Sequence, residues 1–401
     1  MHDARQAAGR GAPGRVAEAH AQCRRGLLVA AGFLVAAVLA AVTGVGAGAW
    51  LPLHLFVVGA LLSAVSATTQ MLAVTWSAAP PPHRPIAAAQ RWLLALGTVA
   101  LVVGRERGHE PLLAVGGAAV IAACLVLAGI LIGVHRQAVT PRFRPAIEAY
   151  VSAVLAGAFG MSIGIILGTG NGGVRALQLR DVHLVLNVFG LIGLVIAGTL
   201  PFFAATQVRA KMSPRATPVV LRTVFVALAA ATATAAIGHL AEHRGVAAAG
   251  MLAYVLGLAA ILAVLPIYSA SRLRWAGARL VQLVAGVVWW AAMAVALVIV
   301  DVRMVDDRPV LRALVVGGFA QILVASLAYL GPVLRGGGHQ RLTAGFALTR
   351  SWLSVVAGNA AAVAALVDHR RALGVALIVW IADVAVRGAR LLLPERISAH
   401  V

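Results

Sequence analysis

Charged side chains are scarce in this sequence. Only 11% of its 401 residues are Asp, Glu, Lys or Arg, whereas 61% are hydrophobic and the mean hydropathy is +0.93. A water-soluble chain of this length needs much more polar surface to remain in solution. The composition therefore excludes a soluble globular protein and indicates a chain that folds in lipid.

Negative charge is especially rare, with 13 acidic residues against 33 basic ones and a net charge of +20. Such an excess can indicate a nucleic-acid partner. Here, however, the basic residues are arginines (Lys211 excepted) that lie in small groups between apolar runs, and they form no continuous basic face. We therefore expect no nucleic-acid binding and interpret the charge as a signal of membrane orientation.

Cysteine and the common catalytic motifs are also missing or nearly so. The two cysteines, Cys23 and Cys124, provide no disulfide framework. The sequence contains no phosphate-binding glycine loop, dinucleotide fingerprint or nucleophile motif. These absences give no support to a nucleotide-dependent enzyme and leave open whether the protein is an enzyme at all.

Apolar runs of roughly 20 residues, the length that crosses a bilayer core of about 30 Å, recur along the chain. They follow a basic tail at 1–25 and predict one transmembrane domain over 26–395. The fold predicted is an all-α polytopic bundle of about twelve transmembrane helices embedded in a lipid bilayer. The predicted spans are 27–47, 52–76, 86–104, 111–134, 146–168, 182–206, 217–239, 246–267, 278–300, 310–333, 343–367 and 372–392.

The distribution of charge between these spans predicts their orientation. With the N-terminus in the cytoplasm, 23 of the 33 basic residues lie on cytoplasmic segments and 10 on external ones. Eight of the 13 acidic residues fall in the external loops. Because cytoplasmic loops carry an excess of Lys and Arg, this pattern places both termini in the cytoplasm.

Three of the predicted spans resemble one another. The second begins His54-Leu-Phe-Val-Val-Gly, the sixth begins His183-Leu-Val-Leu-Asn-Val-Phe-Gly, and the tenth contains Gly317-Gly318-Phe-Ala-Gln321. The two histidines are 129 residues apart, and the tenth span follows at a similar interval. This spacing predicts three four-helix repeats in which the histidines occupy equivalent positions. The predicted repeats are 26–140, 141–272 and 273–395.

The second span resembles a segment of a known membrane-protein family. His54, Gly59 and Trp76 have the spacing of a His–Gly–Trp segment in NnrS-like proteins, and Leu55 and Thr75 stand where that segment has Glu and Asn. The NnrS-like proteins are twelve-helix membrane proteins associated with nitric-oxide stress and haem–copper chemistry.

The sixth span carries a more specific resemblance. The stretch from Asp181 to Gly190 is similar to the H-x-H-L-x-x-x-G helix of haem–copper-oxidase-like proteins. It is still more similar to the membrane region joined to copper nitrite-reductase or multicopper-oxidase domains in some bacteria. Asp181 replaces the first histidine of that motif, and the tenth span has no histidine, which argues against oxygen or nitric-oxide reduction.

These resemblances imply a location, a cofactor and a partner. They place the protein in the inner membrane of a bacterial cell, with haem or copper bound near the outer face. They also imply a role in nitrogen-oxide or copper metabolism, and a periplasmic copper protein as a partner.

The position of the two histidines agrees with a shared site. Each lies within the first few residues of a span that begins at the predicted outer face, so at about 1.5 Å per residue both have a similar depth. Imidazole commonly binds haem iron and copper, which makes His54 and His183 candidate ligands. Asn187 shares a helix face with His183 and is a candidate to orient its ring. The competing interpretations are two interfacial histidines bonded to loop carbonyls, or the lining of a substrate path.

Four further polar residues lie within predicted spans. Asp383 and Arg387 are one helical turn apart, and an ionisable group at that depth costs at least about 2.5–3.5 kcal/mol on insertion scales, so it is normally paired. The pair is either structural or part of a proton or ion path. Gln321 and Asn359 are expected to form hydrogen bonds between helices.

Three functions remain open from the sequence. The first is a haem- or copper-binding membrane protein with His54 and His183 as ligands. The second is a transporter with a central polar path through Asp383, Gln321 and Asn187. The third is a non-catalytic membrane partner of a periplasmic copper protein.

Overall fold

The computed structural model describes residues 12–46 and 48–392, which are almost entirely helical and include no β-strand. We number the helices of these residues α1 to α14. They are α1 Ala12–Thr43, α2 Trp50–Ser77, α3 Arg84–Glu106, α4 Glu110–Arg136, α5 Arg144–Gly168, α6 Gly173–Gln207, α7 Pro218–Leu240, α8 Arg244–Ala263, α9 Ala270–Ala276, α10 Ala278–Arg303, α11 Arg308–Arg335, α12 Gly338–Leu348, α13 Trp352–Leu366 and α14 Arg370–Leu392.

Eleven of these helices are long and apolar enough to cross a membrane, and each corresponds to one predicted span. Large apolar side chains such as Phe159, Leu96 and Val115 lie exposed on their outer faces, where lipid would cover them. The all-α polytopic class predicted from the sequence is confirmed, and the protein is a multi-pass integral membrane protein.

The eleventh predicted span, 343–367, is not one continuous helix. It is divided between α12 and α13, with a break at 349–351. The Ser351 side chain accepts a hydrogen bond from the Ser354 amide and so caps the start of α13. The Thr349 hydroxyl donates to the Ala328 carbonyl on α11. At 15 residues, α13 is roughly 22 Å long, shorter than the bilayer core.

The chain separates into two compact units. Unit 1 contains the chain up to Phe202 together with Met212–Leu265, and unit 2 contains Phe203–Lys211 together with the chain from Pro266 onward. Within unit 1, α3 packs along α4, α7 packs along α8, and α5 lies against α4 and α6. Within unit 2, α10 packs on α11, and α13 packs on both α11 and α14.

Glycine permits the closest helix contacts in unit 1. A Cβ atom on Gly116 would overlap the backbone of Leu101, and one on Gly104 would overlap the backbone of Leu113, so α3 and α4 can approach only with glycine at these positions. The same contacts recur 134 residues later between α7 and α8. The corresponding pairs are Gly250 with Ala235 and Gly238 with Ala247.

Three turns at the ends of helical hairpins share one backbone conformation. In each, a residue with positive φ precedes a histidine whose backbone N–H bonds the carbonyl five residues earlier. The residue pairs are Gly108-His109, Glu242-His243 and Asp368-His369. The Nδ1 atoms of His109 and His369 also accept from a backbone amide three residues later, which caps α4 and α14.

A π-helical segment interrupts each of the three spans that resemble one another. The segments are Leu55–Leu61, Leu186–Gly193 and Leu314–Ala320. Each opens with Leu-x-Val-x-Gly, and a Cβ on the glycine of each would meet a helix packed alongside. The threefold repeat stays a prediction, and these recurrences agree with it. The glycines are Gly59 against Phe33, Gly190 against Ala156, and Gly318 against Trp290.

The π segments also fix how the two histidines correspond. When the Leu-x-Val-x-Gly segments are aligned, Pro52 corresponds to His183 and Val185 corresponds to His54. His54 and His183 therefore occupy different positions relative to their π segments, whereas their separation in sequence predicted equivalent positions. His54 directly precedes its π segment, whereas His183 lies three residues before the next one.

Candidate functional site

His54 is held at the last turn of regular helix before the π segment of α2. Its Nδ1 lies 2.9 Å from the carbonyl oxygen of Trp50, one turn earlier, and its ring stacks on the Trp50 indole at a centroid distance of 4.0 Å. Since a carbonyl oxygen only accepts, Nδ1 carries the proton and Nε2 keeps its lone pair. Nε2 has no hydrogen-bond partner among the described residues.

His183 has the same hydrogen-bond pattern but uses a neighbouring helix. Its Nδ1 donates to the carbonyl oxygen of Gly160 on α5 at 2.7 Å. Gly164, one turn further along α5, admits the ring: a Cβ there would lie 2.7 Å from Cε1 of His183 but 3.8 Å from Nε2. The close packing on α5 therefore covers the Nδ1–Cε1 edge of the imidazole and leaves Nε2 without a protein partner among the described residues.

Asn187 lies beside His183, but it does not hold the ring in the expected way. Its Nδ2 donates to the backbone carbonyl of His183 at 2.8 Å and lies 3.3 Å from Nδ1. Because that Nδ1 proton already goes to Gly160, the amide contacts the ring edge without accepting from it. Asn187 also fills the space that a side chain at Gly160 would occupy.

The two imidazoles both belong to unit 1. The Arg105 guanidinium lies 5.8 Å from the centre of the Trp50 ring that stacks on His54, and Arg180, which is paired with Asp181, lies three residues before His183. No group of three or more His, Cys, Asp or Glu side chains with metal-binding geometry occurs in the described part of the chain. The arrangement provides two neutral imidazole donors with cationic side chains beside them.

Asp383 and Arg387 lie in unit 2, far along α14, and form an ion pair. Arg387 Nε donates to Asp383 Oδ1 at 2.8 Å, and the Asp383 side chain is only 7% exposed. Arg387 Nη1 also donates to the carbonyl of Leu348, the last residue of α12, and to that of Arg350 in the break between α12 and α13. Asp383 Oδ2 is buried without a partner among the described residues. Arg387 thus ties α14 to the end of α12 and to the break that follows it.

The two amides of the tenth and eleventh predicted spans have different surroundings. Asn359 accepts from the Trp289 indole at 2.8 Å and so joins α13 to α10. Gln321 is fully buried, and neither of its amide atoms has a hydrogen-bond partner within the described residues. Gly358 leaves room for the Gln321 side chain on α13. The structure therefore does not bring Gln321, Asp383 and Asn187 into one polar path within a single unit.

A buried polar cluster in unit 1 escaped the sequence analysis. Ser66 on α2 donates to Oε1 of Gln90 on α3 at 2.9 Å, and Gln70 donates to the Ser66 hydroxyl at 3.2 Å. Gln90 in turn donates to the Ala123 carbonyl on α4. These residues border a small cavity between α1, α2 and α3. The sequence does not predict this cluster, because no local pattern relates Ser66 and Gln70 on α2 to Gln90 on α3.

A group of arginines and aromatic rings in unit 2 also escaped it. Arg279 is 1% exposed and lies among the rings of Trp275, Tyr329 and Phe346. The predicted orientation of the spans in the membrane is enough to account for arginines near their cytoplasmic ends, so the sequence provided no reason to expect a cluster. The available signal was the run from Arg272 to Arg279, which places a tryptophan among three arginines.

Fold and site together define a polytopic α-helical membrane protein that carries two imidazole donors on π-interrupted helices. No protein-family model matches the chain, and no curated protein matches it either.

Proposed function

We propose that this membrane protein binds copper or haem iron through His54 and His183. The observation that carries the proposal is that both imidazoles, in the same unit, have Nδ1 bonded to a backbone carbonyl and Nε2 unpaired among the described residues. In a metal-binding histidine, the ring nitrogen that does not bind the metal typically donates its N–H to a carbonyl or carboxylate oxygen. This hydrogen bond fixes the tautomer and the ring orientation.

The donor set decides which metals fit. Two neutral imidazoles suit a cuprous ion, or the two axial positions of haem iron. A structural zinc site needs four protein ligands and a catalytic one three, which the described residues do not provide. Haem would also need partners for its carboxylates, and Arg105, which lies over the Trp50 ring that stacks on His54, has the required charge.

The site's place in the cell follows from the predicted topology. With both termini in the cytoplasm of a bacterial-type cell, His54 and His183 lie toward the outer face of the inner membrane. A metal held there would be accessible to a periplasmic copper protein. This placement supports a role in copper or nitrogen-oxide metabolism, as implied by the resemblance to NnrS-like and haem–copper-like proteins.

Metal analysis and absorption spectroscopy of the purified protein test the proposal. We expect about one metal per chain, and a reduced-minus-oxidised difference spectrum if the metal is haem iron. The variants His54→Gln and His183→Gln should each lose about tenfold or more of the metal affinity, because each removes one of two ligands.

The matched control is His83→Gln. His83 is exposed, precedes α3 and makes no side-chain capping bond, so its substitution should leave the metal content unchanged. Folded wild-type protein that is colourless and metal-free after reconstitution with cuprous ion and with haem would contradict the proposal. Equal metal loss in His83→Gln would show that the bound metal is not at this site.

A further inference from the structure

The interior of unit 2 contains a cation that has no counter-charge among the described residues. Arg279 is the second residue of α10, and its guanidinium carbon lies 4.4 Å from the ring centre of Phe346, 5.0 Å from that of Trp275 and 5.6 Å from that of Tyr329. Its side chain is almost completely buried. None of its three guanidinium nitrogens has a hydrogen-bond partner among the described residues.

A second arginine reaches the same rings from the end of α6. The guanidinium carbon of Arg209 lies 4.1 Å from the ring centre of Trp275 and 5.9 Å from that of Phe346. The backbone of Arg209 has a positive φ of 52°, and Arg272 donates a hydrogen bond to its carbonyl oxygen. These contacts hold the loop so that the exposed Arg209 side chain reaches two of the rings that surround the buried Arg279.

Arg350 adds a third positive charge. It acts electrostatically on Arg279, as Arg209 does, and its Nε donates to the carbonyl of Phe346 at 3.3 Å. Among the described residues, no carboxylate forms an ion pair with any of these three arginines. Asp383, the acidic residue within α14, is paired with Arg387.

The cluster as it stands is electrostatically incomplete. Contact with aromatic faces stabilises a cation by less than the burial of an unpaired charge destabilises the protein. Three guanidinium groups near one another also repel. An anion bound between Arg279 and Arg209 would remove both penalties at once.

We propose that Arg279, Arg209 and Arg350 form a binding site for a phosphate-bearing anion, with the headgroup of an acidic phospholipid as the expected ligand. Guanidinium groups bind phosphate oxygens through paired, charge-assisted hydrogen bonds. The site lies where α10 begins and where α12 ends, at the boundary of apolar helices where headgroups are found. The arginine count predicts that this boundary is cytoplasmic, the side on which anionic lipid attracts basic residues.

Binding to purified, delipidated protein in neutral detergent tests the site and distinguishes the two sources of phosphate. The titrants are dioleoylphosphatidylglycerol, dioleoylphosphatidylcholine, and sodium phosphate against sodium chloride at equal ionic strength. We expect phosphatidylglycerol to raise the apparent melting temperature saturably and phosphatidylcholine to have no such effect. Saturable stabilisation by sodium phosphate alone would support the same site but identify free phosphate as its ligand.

Two variants and a control from the same loop locate the effect. Arg279→Gln and Arg209→Gln should each weaken phosphatidylglycerol binding about tenfold or more, since each removes charge-assisted hydrogen bonds. Arg209 is exposed, so its variant keeps the test valid should Arg279→Gln fold poorly. Arg215→Gln removes an exposed arginine in the loop after α6 and should change binding by less than about twofold.

Three results would overturn the proposal. The first is equal binding of phosphatidylglycerol by the wild type, Arg209→Gln and Arg279→Gln. The second is an absence of saturable stabilisation by either phosphate source. The third is occupation of the site by the chain's own Glu395, which lies outside the described residues: if Glu395→Gln produced saturable lipid stabilisation that the wild type lacks, the site's anion would be that carboxylate.

Discussion

Gly116→Leu is expected to prevent α3 and α4 from packing and to remove most of the folded protein. A Cβ atom at this position would overlap the backbone nitrogen and Cα of Leu101, so the change cannot be absorbed by moving a flexible side chain. Overpacking in a well-packed interior costs about 1–3 kcal/mol when side chains can shift, and more when backbone must move. We expect a large loss of monodisperse protein on size-exclusion chromatography and a strongly lowered melting temperature.

Gly129→Leu provides the matched control on the same helix. No atom of the described structure lies within 4 Å of a Cβ built on Gly129, so the added side chain would extend into lipid. This variant should be produced and unfold as the wild type does, within about 0.5 kcal/mol. Gly116→Leu with wild-type stability would show that α3 and α4 are not in close contact in the membrane.

Arg387→Met is expected to destabilise unit 2 by about 3–5 kcal/mol, because it leaves the buried Asp383 carboxylate without its cation. It also removes the donor to the Leu348 and Arg350 carbonyls at the break between α12 and α13. The methionine keeps a side chain of similar length in the same space. Thermal unfolding in detergent measures the effect, and the melting temperature should fall markedly.

Asp383→Asn separates the structural role of this pair from a role in an ion path. Asparagine still accepts from Arg387, so we expect a smaller loss than for Arg387→Met, about 1–3 kcal/mol. The double variant Asp383→Asn with Arg387→Met should be more stable than the sum of the two single losses implies, because it leaves no unpaired carboxylate. The structural role would be wrong if both single variants kept wild-type stability, and loss of transport in vesicles by a stable Asp383→Asn would favour the transporter hypothesis.

Much of the fold could be predicted from the sequence because the bilayer sets the length of each apolar element. Every predicted span corresponds to helix in the structure, and eleven of them to helices of spanning length. The exception is 343–367, whose high average hydrophobicity predicts a single span. Arg350 and Ser351 interrupt it, and their effect depends on the Ser351 side chain capping α13 and on the distant Arg387, which no local pattern reveals.

The candidate site was only partly predictable. The residue types and the shared predicted depth of His54 and His183 came from the sequence, whereas the partner of each Nδ1 did not. The Gly160 carbonyl that holds His183 lies on another helix, and it is reachable only because α5 carries glycines at 160 and 164. The π segments that follow both histidines were also invisible, since their residues are ordinary apolar ones.

The sequence by itself determined the solvent, the helical class and the number of apolar segments, because these depend on composition and on lengths measured along one chain. It also contained the Leu-x-Val-x-Gly likeness of three spans. Only the tertiary structure decided which polar groups meet across helices, such as Arg387 with the Leu348 carbonyl, and which groups of the described residues are left unpaired, namely Nε2 of two histidines and the guanidinium of Arg279. Pairing depends on which helices pack together, and similar apolar helices do not encode their neighbours in local pattern.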